Sequence, residues 1–156
     1  MKEAKEENLK IICRNRKAYF DYVIDGLYEA GLVLSGTEVK SLREGRANIT
    51  DAYARFRDGE IFLYNAHISP YSHAAADSHL PERPRKLLLH GWEIRRLLGK
   101  LQERGYTLVP LRMYFKNERA KVELGLAKGK KKVDKREAIR RREEQREMER
   151  VRKRRR

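Results

Sequence analysis

The sequence predicts a mainly β, antiparallel barrel over residues 9–127, with short helices at its junctions and a basic C-terminal tail over 128–156. Three observations point there. Apolar and polar residues alternate in several short runs, most clearly Val122, Leu124 and Leu126 against Lys121, Glu123 and Gly125, which is the period of a half-buried strand. Tight-turn signals such as Asp58-Gly59 join these runs, so neighbouring strands are antiparallel. The apolar residues needed for a core also stop at Ala127. Beyond it, over 129–156, only Val133, Ala138, Ile139, Met148 and Val151 are apolar. Small all-β domains commonly remove their exposed edges by closing. About six strands and two short helices then make an oligonucleotide-binding-type barrel.

The elements follow in order. Residues 1–8, MKEAKEEN, are charged and expected to be disordered. LKIICR reads as a short strand, and YFDYVIDGLYEAGLVLSG as a long β-rich run in which Gly26, Gly31 and Gly36 suggest bulges or sharp coiling. TEVKSLREG has helical spacing, with Thr37 as N-cap, Val39 and Leu42 on one face and Gly45 at the end. AYARFRDGEIFLYNAHI is a hairpin about Asp58-Gly59. The stretch 71–86 lacks periodicity and holds Pro81 and Pro84, so it is a long loop. WEIRRLLGKLQERG, 92–105, is a helix with Ile94, Leu97, Leu98 and Leu101 on one face. In TLVPLRMYFK, strict alternation puts Val109, Leu111, Met113 and Phe115 on one side and Leu108, Arg112, Tyr114 and Lys116 on the other. Asn117-Glu118-Arg119 connects it to the last strand.

The chain has 38 Lys/Arg against 23 Asp/Glu, a formal net charge of +15. An excess of this size points to a polyanion, nucleic acid first and an anionic membrane surface second. Residues 128–156 hold sixteen Lys/Arg and six Asp/Glu, so ten of the fifteen net charges lie in the tail. From Asp134 onward the tail is rich in helix formers, with complementary pairs such as Glu143/Glu147 and Arg146/Arg150, but lacks an apolar stripe. It is therefore expected to be disordered alone, hinged at Gly129, and helical once a polyanion neutralises its arginines.

Cys13 is the only cysteine, so no disulfide framework is available and a reducing, cytoplasmic setting is expected. No apolar run approaches the roughly 18 residues of a membrane span. The spacing of His67, His73, His79 and His90 matches no tight metal motif. No phosphate loop, nucleophile–base pair or carboxylate cluster suggests an enzyme or a cofactor.

Several blocks, in order, carry a more specific signal: YEAGLVLSGTEVKSLREGRANITDAYARFRDGE (28–60), NAHISPY (65–71), PERPRKLLLH (81–90), GYTLVP (105–110) and LAKGKKKVDKRE (126–137). Over roughly residues 9–137 the chain closely resembles the SsrA-binding (small protein B) family. The resemblance implies a bacterial protein, expected to be a monomer, that partners transfer-messenger RNA in trans-translation, the rescue of ribosomes stalled on messages without a stop codon. It implies a barrel that grips the tRNA-like domain near its elbow. It also implies a tail that lies in the empty mRNA channel, beside the rRNA of the decoding centre, and folds into a helix there. A ribosomal or ribosome-assembly protein is the alternative of the same physical kind, and an RNA-processing enzyme the alternative of another class.

The resemblance also assigns residues. Glu29 matches a carboxylate that the family uses at its RNA interface; such a group accepts from guanine N–H groups or 2′-hydroxyls. The family places an RNA contact at the edge of RKLLLH, where Leu88 and His90 fall on one face if the segment is extended, beside Arg85 and Lys86. Lys40 and Arg43 are read as RNA-facing, Glu38 as a structural partner of an internal cation, and Tyr22 as either a stacking face or core. Lys130, Lys131, Asp134, Lys135 and Arg136 form the proximal, ribosome-binding tail, with Asp134 at the N-terminus of the induced helix. The chain departs from the family at Phe20, where His is usual; Phe keeps a stacking face but loses the hydrogen bond. Val133 stands where some members carry an aromatic or His.

Overall fold

The computed structural model describes residues 9–73, 78–130 and 132–154, with the side chains of 132–134 left out; residues 1–8 lie outside it. Among the described residues are nine strands and four helices: β1 (Leu9–Arg14), α1 (Arg16–Asp21), β2 (Tyr22–Leu32), α2 (Gly36–Arg43), β3 (Ala47–Asn48), β4 (Tyr53–Arg57), β5 (Glu60–Tyr64), β6 (His67–Ile68), β7 (Arg85–Leu88), α3 (Gly91–Leu101), β8 (Tyr106–Lys116), β9 (Arg119–Gly129) and α4 (Lys132–Arg154). The main sheet runs β1-β8-β4-β5-β7-β2-β9, and β8 also pairs with β9. Six strands thus close on themselves with every pairing antiparallel, and β1 adds to the outside of β8. The expected barrel is present.

The turns explain the hairpins. Asp58 and Gly59 both have positive φ, 52° and 79°, as a two-residue turn between β4 and β5 requires. Asn117 and Glu118, at 49° and 66°, do the same between β8 and β9. Inward residues of β2, β5, β8 and β9, including Ala30, Ile61, Leu63, Leu108, Met113, Val122 and Leu124, form the main core, and Leu97 of α3 is wholly buried in it.

Three local features depart from the sequence reading. The alternation in β8 reverses at a bulge between Pro110 and Arg112. Leu108, Met113 and Phe115 therefore enter the main core, while Val109 and Leu111 form a second small cluster with Ala18 and Ala127. A bulge adds one residue and so flips the parity of everything after it. Gly125 lies under this bulge: a Cβ there would stand 3.0 Å from Leu111 Cδ1 and 3.2 Å from Ile24 Cγ2. Residues 16–21 are helical, not extended. The buried Asn15 caps α1 through Oδ1, which accepts from the Ala18 N–H at 3.2 Å, while its amide donates to Pro110 O at 2.9 Å and Ile49 O at 3.3 Å. Finally, the N-cap of α2 is Ser35, two residues before the expected Thr37, through a capping box in which the Ser35 N–H donates to Glu38 Oε1 at 2.9 Å.

Candidate nucleic-acid interface

The pleat that buries one side of each barrel strand turns the other side to solvent. On β2 the outward residues include Leu27 and Glu29; on β9, Lys121 and Glu123; on β8 beyond the bulge, Arg112 and Lys116, with Tyr114 on the same side but covered by its neighbours; on β7, Lys86 and Leu88. Register places Glu29 opposite Glu123 and Glu123 opposite Arg112. Two carboxylates facing each other on adjacent strands repel, and the sheet supplies each with its own partner. Arg112 Nη2 lies 3.3 Å from Glu123 Oε2. The Tyr114 hydroxyl donates to Glu29 Oε2 at 2.5 Å, and Lys116 Nζ stands 3.4 Å from both Glu29 oxygens.

Burial alone would raise the Glu29 carboxyl; the Tyr114 hydroxyl and Lys116 outweigh it and hold the group below the ordinary carboxylate value. Burial, followed by the bond to Glu29, pushes the Tyr114 phenol well above its ordinary value, so it stays a donor. Glu29 is thus an oriented, ionised acceptor, 38% exposed, set among cations. That combination accepts from base N–H or ribose O–H groups while Lys116 and Lys121 offset its repulsion of phosphates.

Leu88 continues the face. It pairs in register with Gly31 of β2 and is 52% exposed. Lys86, two residues earlier on the same side, bonds Glu60 Oε1 at 2.7 Å and remains half-exposed. His90 caps the N-terminus of α3, where its backbone N–H donates to Glu93 Oε1 at 3.2 Å. Its exposed imidazole stacks beside Trp92, with centroids 6.3 Å apart and planes 7° from parallel. Glu29, Lys86, Leu88 and His90 therefore lie on neighbouring outward positions of one surface.

Arg85 does not belong to it. It is wholly buried, so the expectation that Arg85 meets RNA does not hold. Its side chain points inward because it alternates with Lys86 on β7. Nε lies 2.6 Å from Glu38 Oε2, Nη1 donates to Ala66 O at 2.5 Å, and Nη2 donates to Pro81 O at 2.9 Å. Arg83 pairs with the other oxygen of the wholly buried Glu38. His79 adds a third tie: Nε2 must donate to the Ile68 carbonyl at 2.8 Å, so in the neutral ring Nδ1 accepts from the Thr37 hydroxyl at 2.9 Å. Glu38 is structural, as its residue type and setting suggest, and it locks α2 to the loop before β7.

The other sequence-predicted residues scatter. Tyr22 starts β2 at the end far from Glu29, pairs with Gly129, and packs half-buried against Ala18, Val109, Leu111 and Ala127. Its placement is the core alternative. Lys40 and Arg43 are exposed in the last turn of α2; Lys40 stands over the Tyr71 ring at 5.5 Å, and Arg43 lines a recess with Lys10, Phe115 and Asn117. The sequence reading missed Tyr114 and Lys116. Alternation already put them on one face, but only the β2-β9-β8 register brings them to Glu29.

At the root of the tail, the Lys130 N–H donates to Asp21 O and its Nζ to Tyr19 O, both at 2.9 Å. Lys135 Nζ lies 3.6 Å from Asp21 Oδ1, and Arg142 stands 5.5 Å over the Phe20 ring. Gly129 is paired in β9, so the segment leaves the barrel along α1 rather than from a loose hinge. Arg136 and nearly every residue after it are exposed. Lys131 and the side chain of Asp134 lie outside the described residues.

Comparison with known proteins gives one answer. The family model described as SmpB protein matches residues 12–154. An SsrA-binding protein of Syntrophobacter fumaroxidans is 61% identical over 155 residues, covering 99% of this chain and 96% of that protein. One from Geobacter metallireducens is 59% identical over 139 residues, covering 89% and 91%. A solved chain from "tmRNA-SmpB: a journey to the center of the bacterial ribosome" superposes with a TM-score of 0.66 at 52% identity, covering 83% of this chain and 94% of that one.

Proposed function

Because the chain belongs to the SmpB protein family, we propose that it binds the tRNA-like domain of transfer-messenger RNA and delivers it to stalled bacterial ribosomes for trans-translation. The observation that carries this reading is the outward face built around Glu29, with Leu88 and His90 on the adjoining strand and cap. A carboxylate is a poor general RNA binder, because it repels phosphates. Held ionised and aimed by Tyr114, it serves recognition of a particular fold instead. In this reading the protein acts by binding, in the bacterial cytoplasm and as a monomer.

The second half of the reading concerns the tail. Residues 132–154 form one helix whose contacts with the body lie in its first half: Lys135 on Asp21 and Arg142 over Phe20. We infer that the remainder keeps its helix only weakly in water and gains it fully in an RNA-lined channel, where phosphates neutralise the arginines. Its place there is the message-free channel of the small subunit, so the tail senses the absence of mRNA.

The binding half is tested by substitution. Glu29→Ala and His90→Ala are each expected to weaken binding to the tRNA-like domain by about 1–3 kcal/mol, in filter binding at physiological salt. Unchanged affinity in both variants would remove this face from the interface.

A further inference from the structure

Between β2 and α3 a groove of about 500 Å³ is lined by Asp25, Leu27, Tyr28, Trp92, Arg96 and Tyr106, among others. Two of its apolar walls are open to solvent, Leu27 at 60% and Trp92 at 56%. Exposed side chains of this size, so close together, mark a contact surface. Leu27 points outward two residues before Glu29 on the same strand, and Trp92 follows two residues after His90. The groove is therefore continuous with the face already described.

Its polar groups sort by whether they are engaged. Asp25 accepts from the Tyr106 hydroxyl at 2.7 Å, and Glu93 accepts from the His90 N–H at 3.2 Å. Lys128 stands over the Tyr106 ring at 5.6 Å. Arg96, on the groove wall, has no carboxylate within ion-pair distance among the described residues. Both acids thus have partners inside the protein, while the Arg96 guanidinium remains available to an anion. An apolar floor with a flat indole, cationic edges and satisfied acids suits a nucleobase with its phosphates better than an acidic or purely apolar peptide.

We propose that this groove takes one unstacked base of the bound RNA: the base lies on the Trp92 indole against Leu27, and Arg96 meets the flanking phosphate. The near-parallel planes of His90 and Trp92 place a base on the indole in the same orientation as the imidazole beside it, so the two rings act on adjacent nucleotides. The proposal rests on the RNA-binding reading above and adds a specific subsite to it.

Trp92 is the chain's single tryptophan, so the native protein reports on the subsite directly. Saturating tRNA-like-domain RNA is expected to quench Trp92 emission and to protect it from acrylamide. Trp92→Ala is expected to weaken binding about tenfold, within the range for loss of one stacked base, and Trp92→Phe to recover most of that loss. Circular dichroism of both variants checks the fold, and the exposed position of Trp92 leaves the core intact. If the wild type binds this RNA while Trp92 stays fully accessible to acrylamide and Trp92→Ala binds equally well, the subsite is wrong and the function stands. If the wild type does not bind the RNA at all, the function itself fails.

Discussion

Arg85→Ala is expected to destabilise the protein by about 3–5 kcal/mol, the usual consequence of leaving one member of a buried ion pair without its partner. The reason lies in what the guanidinium holds. It joins Glu38 of α2, Ala66 beside β6, and the Pro81 carbonyl in the loop before β7. Removing it strips the buried Glu38 Oε2 and the Ala66 carbonyl of their Arg85 donors, while Arg83 stays on the other Glu38 oxygen and the Ile68 N–H stays on Pro81 O. For a chain of this length the loss corresponds to roughly 10 °C or more in melting temperature. RNA affinity of the folded fraction should be unchanged, because Arg85 is wholly buried. A stable Arg85→Ala protein with weakened RNA binding would restore the interface role that the structure denies it.

The same cluster sets a pH dependence. Burial by itself raises the Glu38 carboxyl; Arg83, the Ser35 N–H and Arg85 outweigh it, so the folded value lies below the ordinary carboxylate value. A depressed acid contributes stability above its unfolded pKa and loses it as pH falls through the folded one. The stability gap between the wild type and Glu38→Gln should therefore be widest near neutrality and narrow on acidification, in denaturant titrations across that range. A gap that widens in acid contradicts the assignment.

The second large effect is functional. Ending the chain at Lys130 keeps β9 to its last pair with β2 and keeps the bond from Lys130 to Asp21. The buried hydrophobic core ends at Ala127. The truncated protein is expected to melt within a few degrees of the full chain and to bind the tRNA-like domain with little loss, yet to give no tagging of stalled nascent chains in a reconstituted translation system. The salt dependence of its RNA binding should change little too, since the proposed function assigns the tail's cations to the ribosome. Equal loss of RNA binding and tagging in a folded truncation would mean that barrel and tail are not separate devices.

Much of this was legible because local chemistry and global fold agree. Asp58-Gly59 makes the turn its residue types demand, and Val122, Leu124 and Leu126 bury together as strict alternation requires. The misses share a cause. Asn15 caps α1 while its amide reaches Pro110, 95 residues away, and no local pattern announces that. The bulge in β8 inverts an alternation that looks regular in sequence. Arg85 resembles Lys86 in composition, but the pleat turns one inward to Glu38 and the other outward. Glu29 is assigned to the interface by the family resemblance alone, whereas the groups that aim it, Tyr114 and Lys116, are visible only with β2, β9 and β8 in register.

The most direct measurement is to sequence the RNA that co-purifies with the tagged full-length protein from a bacterial lysate, beside the Glu29→Ala/His90→Ala double variant. The proposed function predicts strong enrichment of transfer-messenger RNA over ribosomal RNA with the wild type and its loss with the variant. Recovery of ribosomal RNA in cellular proportion, the same with both proteins, would contradict it.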